Sequence, residues 1–335
     1  MPIKNRQFVL AARPQGMPKE SDFKLVEREI RNPGSGEVLL RTLYLSVDPY
    51  MRGRISGVKT YADPVEIGAV MVGATIGEVV ESKNPGFQAG DIAAGYWGWS
   101  EHGISNGRDL RKLDVSLAPV TTALGVLGAT GLTAYFGLVD ICKPQSGETV
   151  LVSGAAGAVG SIVGQIAKIK GCRAIGTAGS DAKVRHVVND LGFDAALNYK
   201  TRSDYTGALH ELCPKGIDCY FDNVGGAITD AVFPALNLHA RLAICGQISQ
   251  YNATKPELGP RPFGWFIVKR CRVEGFLILD YQHRFGEGIA ELARWLREGK
   301  LKHREDIVEG FENTPRAFIG MLEGDNVGKR IVKVE

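Results

Sequence analysis

The segment from Glu148 to Ser180 constrains the fold of this chain more than any other. An apolar run, Thr149 to Ser153, leads directly into Gly154, Gly157 and Gly160, and isoleucines at helical spacing follow. A second short run, Arg173 to Ala178, completes the segment. This order predicts a strand, a tight turn, a helix and a second strand, in which the turn and the helix N-terminus bind the phosphates of a dinucleotide.

The end of the second strand predicts which dinucleotide is bound. A site for NAD usually places an acidic residue there to hold the ribose 2′-hydroxyl, but Gly179 and Ser180 follow the strand in this chain. Asp181 comes later and is soon followed by Lys183. A 2′-phosphate would be repelled by a carboxylate and held by a cation and hydroxyl donors. We therefore predict NADP(H), with Gly179, Ser180 and Lys183 around the 2′-phosphate, although Asp181 and Lys183 could also only cap a helix and face solvent.

Composition excludes several classes of protein. The 40 basic and 37 acidic residues give a net charge of only +3, and no basic run suggests a nucleic-acid partner. The N-terminal residues lack the apolar core of a signal peptide, and no run of eighteen apolar residues suggests a membrane span. Six scattered cysteines without a C-x-x-C pair predict neither a disulfide framework nor a zinc cluster. We expect a cytoplasmic protein without a metal.

The pattern of the chain changes near residue 119. Residues 1–118 alternate apolar and polar positions between frequent turns, which predicts a β-rich, barrel-like unit. Residues 119–298 alternate strand and helix patterns, which predicts an α/β domain with a doubly wound parallel sheet, and residues 299–335 are assigned back to the β-rich unit. In the α/β domain we expect strands at 149–153, 173–178, 218–221, 240–245 and 272–278, and helices near 181–191, 227–237 and 286–298; a short helix near 315–323 and a final strand, Lys329–Val334, should follow.

Several segments together resemble the medium-chain dehydrogenase/reductase superfamily. They include LSVDPYMRGRI, GATGLTAYFGL, AAGAVGSIVGQIAKIKGCR, LGFDAALNYK, DCYFDNVGG, ICGQISQYN, RVEGFLILDY and GDNVGKRIVKV. More narrowly, the whole chain is similar to the zinc-free branch of prostaglandin reductases, alkenal/alkenone reductases, leukotriene 12-hydroxydehydrogenase and bacterial curcumin reductase. Zinc-dependent members place a Cys ligand where this chain has Ser46 to Pro49, and no Cys precedes Cys142.

The resemblance implies a Rossmann domain, a GroES-like catalytic domain and a set of residues that bind NADP(H). The implied contacts to the cofactor are Ala155, Gly157, Ala158, Val159, Gly160, Gly179, Lys183, Tyr199, Asn223, Tyr251, Phe276, Leu277, Ile278 and Asn326. Members of the family commonly form homodimers through the cofactor domain, and strand edges near 271–280 would allow this.

The expected reaction is the NADPH-dependent reduction of a C=C bond conjugated to an aldehyde or ketone. Hydride adds at the β-carbon, and hydroxyl donors stabilise the enolate that develops at the carbonyl oxygen. Tyr50, Tyr61 and Tyr251, together with a ribose hydroxyl, are the candidate donors, because a neutral phenol can donate at pH 7. Trp97 and Trp99 could line an apolar pocket or pack in a core. The alternatives are a quinone reductase of the same superfamily and a non-catalytic NADP-binding protein.

Overall fold

The computed structural model describes residues 3–116 and 118–334, and the chain divides into two compact units. The first unit comprises Met1–Leu124 and Glu305–Glu335, and the second comprises Gly125–Arg304.

The strands of the first unit are β1 (Ile3–Leu10), β2 (Phe23–Ile30), β3 (Val38–Ser46), β4 (Thr75–Ser82), β5 (Ile92–Gly95), β6 (His102–Ser105), β7 (Arg111–Lys112), β14 (Glu305–Glu309) and β15 (Lys329–Lys333), and those of the second are β8 (Thr149–Val152), β9 (Arg173–Ala178), β10 (Ala195–Asn198), β11 (Ile217–Asp222), β12 (Leu236–Ile244) and β13 (Arg272–Gly275). The α-helices are α1 (Tyr50–Arg54), α2 (Ala129–Phe136), α3 (Gly160–Ile169), α4 (Asp181–Arg185), α5 (Tyr205–Leu212), α6 (Gly226–Val232), α7 (Phe263–Lys269), α8 (Phe285–Arg297) and α9 (Thr314–Glu323). Wider π turns, Gly137–Cys142 and His186–Asp190, continue α2 and α4, and short 3-10 turns span Glu20–Asp22, Val120–Leu124, Phe233–Ala235, Ile248–Gln250, Ile278–Arg284 and Phe311–Asn313.

The second unit is built on a six-stranded sheet in the order β10-β9-β8-β11-β12-β13, and every neighbouring pair is parallel. Side chains alternate between the two faces of a strand, so Val150 and Val152 enter one core cluster with α2, α3 and α8, whereas Leu151 enters another with α5 and α6. Helices therefore cover both faces of a parallel sheet, and the predicted α/β fold is confirmed.

Several details of the second unit differ from the sequence prediction, which also did not include helices α5 and α7. Strand β10 was not predicted. The helix expected over 227–237 ends at Val232, because Pro234 cannot donate the amide hydrogen of a continuing α-helix, and β12 already begins at Leu236. The strand expected over 272–278 ends at Gly275, whose partner Ile244 is the last residue of β12, so the ladder has no partner strand beyond that point.

The first unit contains a seven-stranded sheet and a separate antiparallel hairpin of β1 and β2. The large sheet runs β14-β15-β3-β4-β5-β7, with β6 also paired to β3, and only the β14–β15 pair is parallel. The expected β-rich unit is confirmed. Trp99 is fully buried against the rings of Phe8, Phe23 and Phe318 at centroid distances of 6.3, 5.3 and 5.8 Å, so it belongs to the core.

The unit boundaries lie a few residues beyond the predicted ones. Residues 119–124 stay with the first unit, because Val120, Ala123 and Leu124 pack against Ile76 and Ile331. Residues 299–304 belong to the second unit: Leu301 packs in its core, and the amide group of Gln165 pairs with both backbone groups of Lys302 at 2.9 and 2.8 Å. Throughout 3–116 and 118–334, no helix is both long and apolar enough to span a bilayer.

Candidate cofactor site and active site

The strand order of the second unit defines where a ligand can bind. The chain leaves β8 toward β9 and β10 on one side, and returns to β11, β12 and β13 on the other. Open α/β sheets bind ligands outside the carboxyl ends of the strands at such a reversal. The predicted cofactor residues of this unit follow the carboxyl ends of all six strands, so the sheet brings them to one edge.

The glycine turn after β8 is tightly folded. Gly154 has a φ of +62°, a conformation that costs glycine little, and its carbonyl oxygen accepts the Gly157 N–H at 3.0 Å. The Ala155 N–H donates to the carbonyl oxygen of Thr177 on β9 at 2.9 Å, which ties the turn to the neighbouring strand. Ala155 is fully buried, and Ala158 leads from this turn toward α3.

Gly160 opens α3 against the same turn. A Cβ atom on Gly160 would lie 2.3 Å from the Gly154 carbonyl oxygen, and one on Gly157 would lie 3.3 Å from it. Val159, which precedes the helix, makes no side-chain cap. The backbone N–H groups and positive dipole of this helix end thus suit a pyrophosphate, and the two glycines provide the close backbone approach that it needs.

Gly179, after β9, lies against Tyr199, after β10. A Cβ atom on Gly179 would lie 2.7 Å from the Tyr199 hydroxyl oxygen and 3.5 Å from Cε of Lys200. Burial raises the pKa of Tyr199, so its hydroxyl remains a neutral donor. Ser180 is the N-cap of α4, and its Oγ accepts the Lys183 backbone N–H at 3.2 Å. The predicted Gly179, Ser180, Lys183 and Tyr199 therefore meet at one corner of the sheet.

The sequence reasoning missed two polar residues at this corner. Lys200 follows Tyr199 directly, and its side chain approaches Gly179, which adds a cation beside the expected 2′-phosphate. Asn198, the last residue of β10, donates from Nδ2 to Oδ1 of Asp181 at 2.6 Å. An open depression adjoins this corner and is lined by Tyr199, Lys200, Thr201, Arg202, Ser203 and Tyr205.

A buried carboxylate organises the ends of β8 and β11. We define the Asp222 cluster as Asp222, Ser153, Tyr220 and Thr229. The fully buried Asp222 accepts hydrogen bonds from the hydroxyls of Ser153, Tyr220 and Thr229 at 2.8, 2.9 and 2.7 Å. The backbone N–H groups of Val224 and Gly225 add two more bonds, each 3.0 Å long. Sequence reasoning missed Asp222 because a buried, fully bonded carboxylate leaves no special spacing in the sequence.

Asn223 is held in place by this cluster. Its backbone N–H donates to Ser153 Oγ, and its Nδ2 donates to the Ser153 carbonyl oxygen, both at 2.8 Å. The Asp222 carbonyl oxygen accepts the N–H groups of Cys245 and Gly246 at 2.8 and 3.0 Å, which connects the end of β12 to the same cluster. The bonds to Ser153 do not use the side-chain oxygen of Asn223, and its carbonyl oxygen accepts the Ile248 N–H at 3.3 Å.

Tyr251 lies just beyond β12. Its hydroxyl oxygen accepts the Gln247 N–H at 3.3 Å, and a Cβ atom on Gly246 would lie 3.1 Å from it. Since a Cβ atom on Gly246 would also lie 3.3 Å from the Asn223 carbonyl oxygen, Tyr251 and Asn223 are neighbours at this edge. Burial raises the pKa of Tyr251, although the bond from the Gln247 N–H lowers it in part. The phenol hydrogen is thus retained and can be donated.

The segment after β13 presents backbone at the same edge. The Phe276 ring packs into the core against Phe221, at a centroid distance of 6.2 Å, and Ile278 packs against the same core. Leu277 has extended backbone and precedes the 3-10 turn that begins at Ile278. The side chains of Phe276 and Ile278 are therefore anchored, which fixes the backbone groups that the family resemblance assigns to the carboxamide.

Tyr50, Tyr61 and Asn326 belong to the first unit. Tyr50 is the first residue of α1 and packs against the core, and burial, followed by the charge of Asp48, raises its pKa well above the usual value. Tyr61 lies in a turn region, with 53% of its surface exposed. Asn326 donates from Nδ2 to the Gly328 carbonyl oxygen at 2.8 Å, a bond within its own turn.

An ion pair between the buried Lys329 and the half-buried Asp48 joins β15 to the segment just before Tyr50. Nζ of Lys329 is 3.0 Å from a carboxylate oxygen of Asp48 and donates to the carbonyl oxygens of Val47 and Arg330 at 2.8 and 2.9 Å. Ser46 Oγ donates to the other oxygen of Asp48. Burial lowers the pKa of Lys329, and Asp48 offsets part of this effect. All three hydrogens of the ammonium group can therefore be satisfied by oxygen atoms of this segment and of β15.

All six cysteines are free thiols, and four of them are buried. Within residues 3–116 and 118–334, no group of three or more His, Cys, Asp or Glu side chains is arranged to hold a metal ion.

The comparisons with known proteins agree with this architecture. Residues 6–113 match a family described as the N-terminal domain of oxidoreductase, and residues 158–294 match one described as zinc-binding dehydrogenase. The NADPH-dependent curcumin reductase of Escherichia coli is 48% identical over 99% of this chain and 97% of its own length. The chain belongs to the medium-chain dehydrogenase/reductase superfamily.

Two further medium-chain relatives place it in the expected branch. An NADP(+)-dependent 2-alkenal reductase of Nicotiana tabacum is 41% identical over 99% of this chain and 98% of its own length. The crystal structure of CurA from Vibrio vulnificus in complex with NADPH has a TM-score of 0.94 and 47% identity, covering 98% of this chain and 99% of that one. The resemblance to the curcumin, prostaglandin and alkenal reductase branch is confirmed.

Proposed function

We propose that this protein is an NADPH-dependent reductase of the C=C bond in α,β-unsaturated aldehydes and ketones. The observation that carries the proposal is the full-length similarity to reductases named for curcumin and for 2-alkenals. In addition, the similar CurA structure from Vibrio vulnificus contains NADPH. Both named substrate classes place a C=C bond next to a carbonyl group. The carboxyl edge of the second unit supports the proposal, because it combines a glycine turn suited to a phosphate with the half-buried phenol of Tyr251.

The residues at this edge fit the cofactor. Gly157 and Gly160 leave the space that a Cβ atom would fill, so the turn can approach a pyrophosphate closely. Gly179 leaves room beside the Tyr199 hydroxyl, and Lys183 and Lys200 provide positive charge for a 2′-phosphate. Asn223, Tyr251 and the backbone of 276–278 remain predicted contacts to the nicotinamide half, and Asn326 remains a predicted contact from the first unit. When bound, NADPH supplies the hydride.

The chain's own contribution to the reaction is a hydroxyl donor for the enolate. As negative charge moves to the substrate carbonyl oxygen, Tyr251 would donate a hydrogen bond from its phenol and stabilise that charge. Burial favours this role because it keeps the phenol neutral. The α-carbon then takes a proton from a hydroxyl or from water, which leaves the saturated carbonyl product. Tyr50 and Tyr61 remain the other predicted donors.

The test is a substrate panel with product analysis. NADPH oxidation is measured with a 2-alkenal, a cyclic enone and a benzoquinone, and the products are identified by mass spectrometry. The proposal expects the saturated aldehyde or ketone with one NADPH consumed per C=C bond. Turnover of the quinone alone would favour a quinone reductase, and no turnover despite tight NADPH binding would favour a non-catalytic NADP-binding protein.

We also propose that the protein forms a homodimer through the second unit. Among the residues that the structure describes, β13 pairs with β12 alone and forms an edge of the six-stranded sheet, and no residue of α7 is buried. Edge strands and contiguous exposed apolar residues are typical of surfaces that associate. The exposed large apolar residues of this region are Phe263, Trp265, Ile267, Val268, Val273, Leu277 and Leu279.

Light scattering after size exclusion tests the dimer. We expect twice the chain mass for the unaltered protein and the single-chain mass for an Ile267→Glu, Val268→Glu variant; a monomeric unaltered protein would contradict the proposal.

The cytoplasmic location is likewise a prediction from composition, which cell fractionation can check.

A further inference from the structure

The chain retains an acidic residue close to the position where NAD-binding relatives of this fold carry one. Asp181 is the first residue of α4, three positions after the end of β9, and its side chain is exposed. A carboxylate near the end of the second strand of such a sheet favours a ribose 2′-hydroxyl and repels a 2′-phosphate. An NADPH-dependent protein must therefore counter the charge of Asp181.

The structure provides a direct partner for that carboxylate. Asn198 ends β10, in register with Ala178 at the end of β9. Its Nδ2 donates to Oδ1 of Asp181 at 2.6 Å, a short bond to a charged acceptor. Its own Oδ1 accepts the Lys200 N–H at 3.0 Å, which fixes the orientation of the amide group.

The other groups at this corner face Gly179. The Tyr199 hydroxyl and Cε of Lys200 lie 2.7 and 3.5 Å from the position of a Cβ atom on Gly179. A hydroxyl and a lysine side chain thus lie next to Gly179, while the amide of Asn198 binds the Asp181 carboxylate.

We infer that Asn198 is a specificity-determining residue that enables the site to accept a 2′-phosphate by holding the Asp181 carboxylate in a hydrogen bond. Asn198 acts through Asp181 and is a positioning residue rather than a catalytic one. The inference rests on the proposed NADPH dependence and extends it to the means of discriminating against NADH. In the absence of the Asn198 amide, the Asp181 carboxylate is free to turn toward the cofactor ribose, where it disfavours phosphate and accepts a 2′-hydroxyl.

The experiment measures binding of two cofactor fragments by calorimetry. The probes are 2′,5′-ADP, which carries the 2′-phosphate, and 5′-ADP, which does not. Asn198→Ala should weaken 2′,5′-ADP about ten- to a hundredfold, the range for a charge-assisted contact, and change 5′-ADP affinity less than about threefold. Asn198→Asp, which keeps the acceptor for the Lys200 N–H and removes the donor, should show at least the same loss.

The matched controls separate specificity from damage. Asn189→Ala makes the same change at an exposed position of the turn after α4 and should leave both affinities unchanged. In an Asp181→Asn background the charge is absent, so adding Asn198→Ala should lower 2′,5′-ADP affinity by less than about twofold. The ratio of kcat/KM for NADPH to that for NADH should follow the fragment affinities in each variant.

Four results would overturn the inference. Equal weakening of both fragments by Asn198→Ala would show a structural role only. An undiminished effect of Asn198→Ala in the Asp181→Asn background would show that the carboxylate is not involved. If the unaltered protein binds 5′-ADP as tightly as 2′,5′-ADP, the proposed NADPH dependence fails together with the inference. If the unaltered protein prefers 2′,5′-ADP and Asn198→Ala leaves that preference intact, only the inference fails.

Discussion

Gly160→Ala should damage cofactor binding through the shape of one turn. The added Cβ atom would lie 2.3 Å from the Gly154 carbonyl oxygen and 2.9 Å from its carbon. Nonbonded atoms cease to repel one another only at a separation of about 3.5 Å. The start of α3 and the Gly154 turn must therefore separate by about 1 Å. Both atoms belong to rigid backbone, and the turn itself must therefore move.

The magnitude has two parts. Overpacking of this kind costs about 1–3 kcal/mol of the free energy of unfolding. In enzymes, a misplacement of about 1 Å can lower the reaction rate on the order of 10²-fold. We expect the affinity for NADPH to be similarly sensitive and to fall at least about tenfold. Fluorescence titration with NADPH gives the dissociation constant, and thermal unfolding without ligand gives the stability.

Gly286→Ala is the matched control. It makes the same change in α8, where a Cβ atom would meet nothing within 4 Å. We expect its NADPH affinity to be unchanged and its melting temperature to be equal or higher, since alanine is favoured over glycine in a helix by about 0.5–1 kcal/mol. A folded Gly160→Ala variant that binds NADPH within twofold of the unaltered protein would refute the reasoning.

Four further predictions concern charge, proton donation, the buried carboxylate and metal. Lys183→Ala should raise the KM for NADPH about ten- to a hundredfold and change the KM for NADH little; equal use of both cofactors by the unaltered protein would contradict this. Tyr251→Phe should lower the single-turnover rate at saturating NADPH by up to about 10²–10³, a larger effect than its weakening of cofactor binding. Unaltered rates in this variant and in the Phe variants of Tyr50 and Tyr61 would assign the proton to solvent. Because burial raises the pKa of Tyr251 above its ordinary value, the phenol stays protonated through the neutral range, and a loss of kcat centred near pH 8 would exclude it as the titrating donor. Asp222→Ala should cost about 3–5 kcal/mol in urea unfolding, since it leaves several buried donors without an acceptor; a loss below about 1 kcal/mol would be inconsistent with the observed bonds. Dialysis against a strong chelator should leave the reduction rate unchanged, and stoichiometric zinc lost together with activity would disprove the expected metal independence.

The periodicity of the sequence predicted the fold of the second unit well where a strand or helix was long or strongly apolar. Strands β8, β9 and β11 and helix α8 lie within two residues of their predicted bounds. Strand β10 escaped prediction because four residues, AALN, carry too little alternation to be distinguished from a loop. The start of β12 was missed because the polar residues Asn237 and His239 resemble the end of a helix as much as an exposed strand.

Parts of the candidate site that depend on local sequence could be predicted, and parts that depend on strand pairing could not. The glycine turn could be predicted because a tight turn with close backbone approach requires glycine at that spacing. The Asn198–Asp181 bond could not, because the two residues are 17 positions apart and meet only through the pairing of β9 with β10. The Asp222 cluster was hidden for the same reason: Ser153 and Asp222 are 69 positions apart.

The ion pair of Lys329 and Asp48 has a consequence for how this chain can change over generations. Removing Asp48 would leave the buried ammonium group of Lys329 without its carboxylate and cost about 3–5 kcal/mol, whereas replacing both residues with apolar ones of similar volume can be nearly neutral. The two segments that carry the pair, the one before Tyr50 and β15, are therefore expected to change together, although Asp48 and Lys329 are 281 positions apart in the chain. A graft of either segment from a distant relative should succeed only when its counterpart is transferred with it.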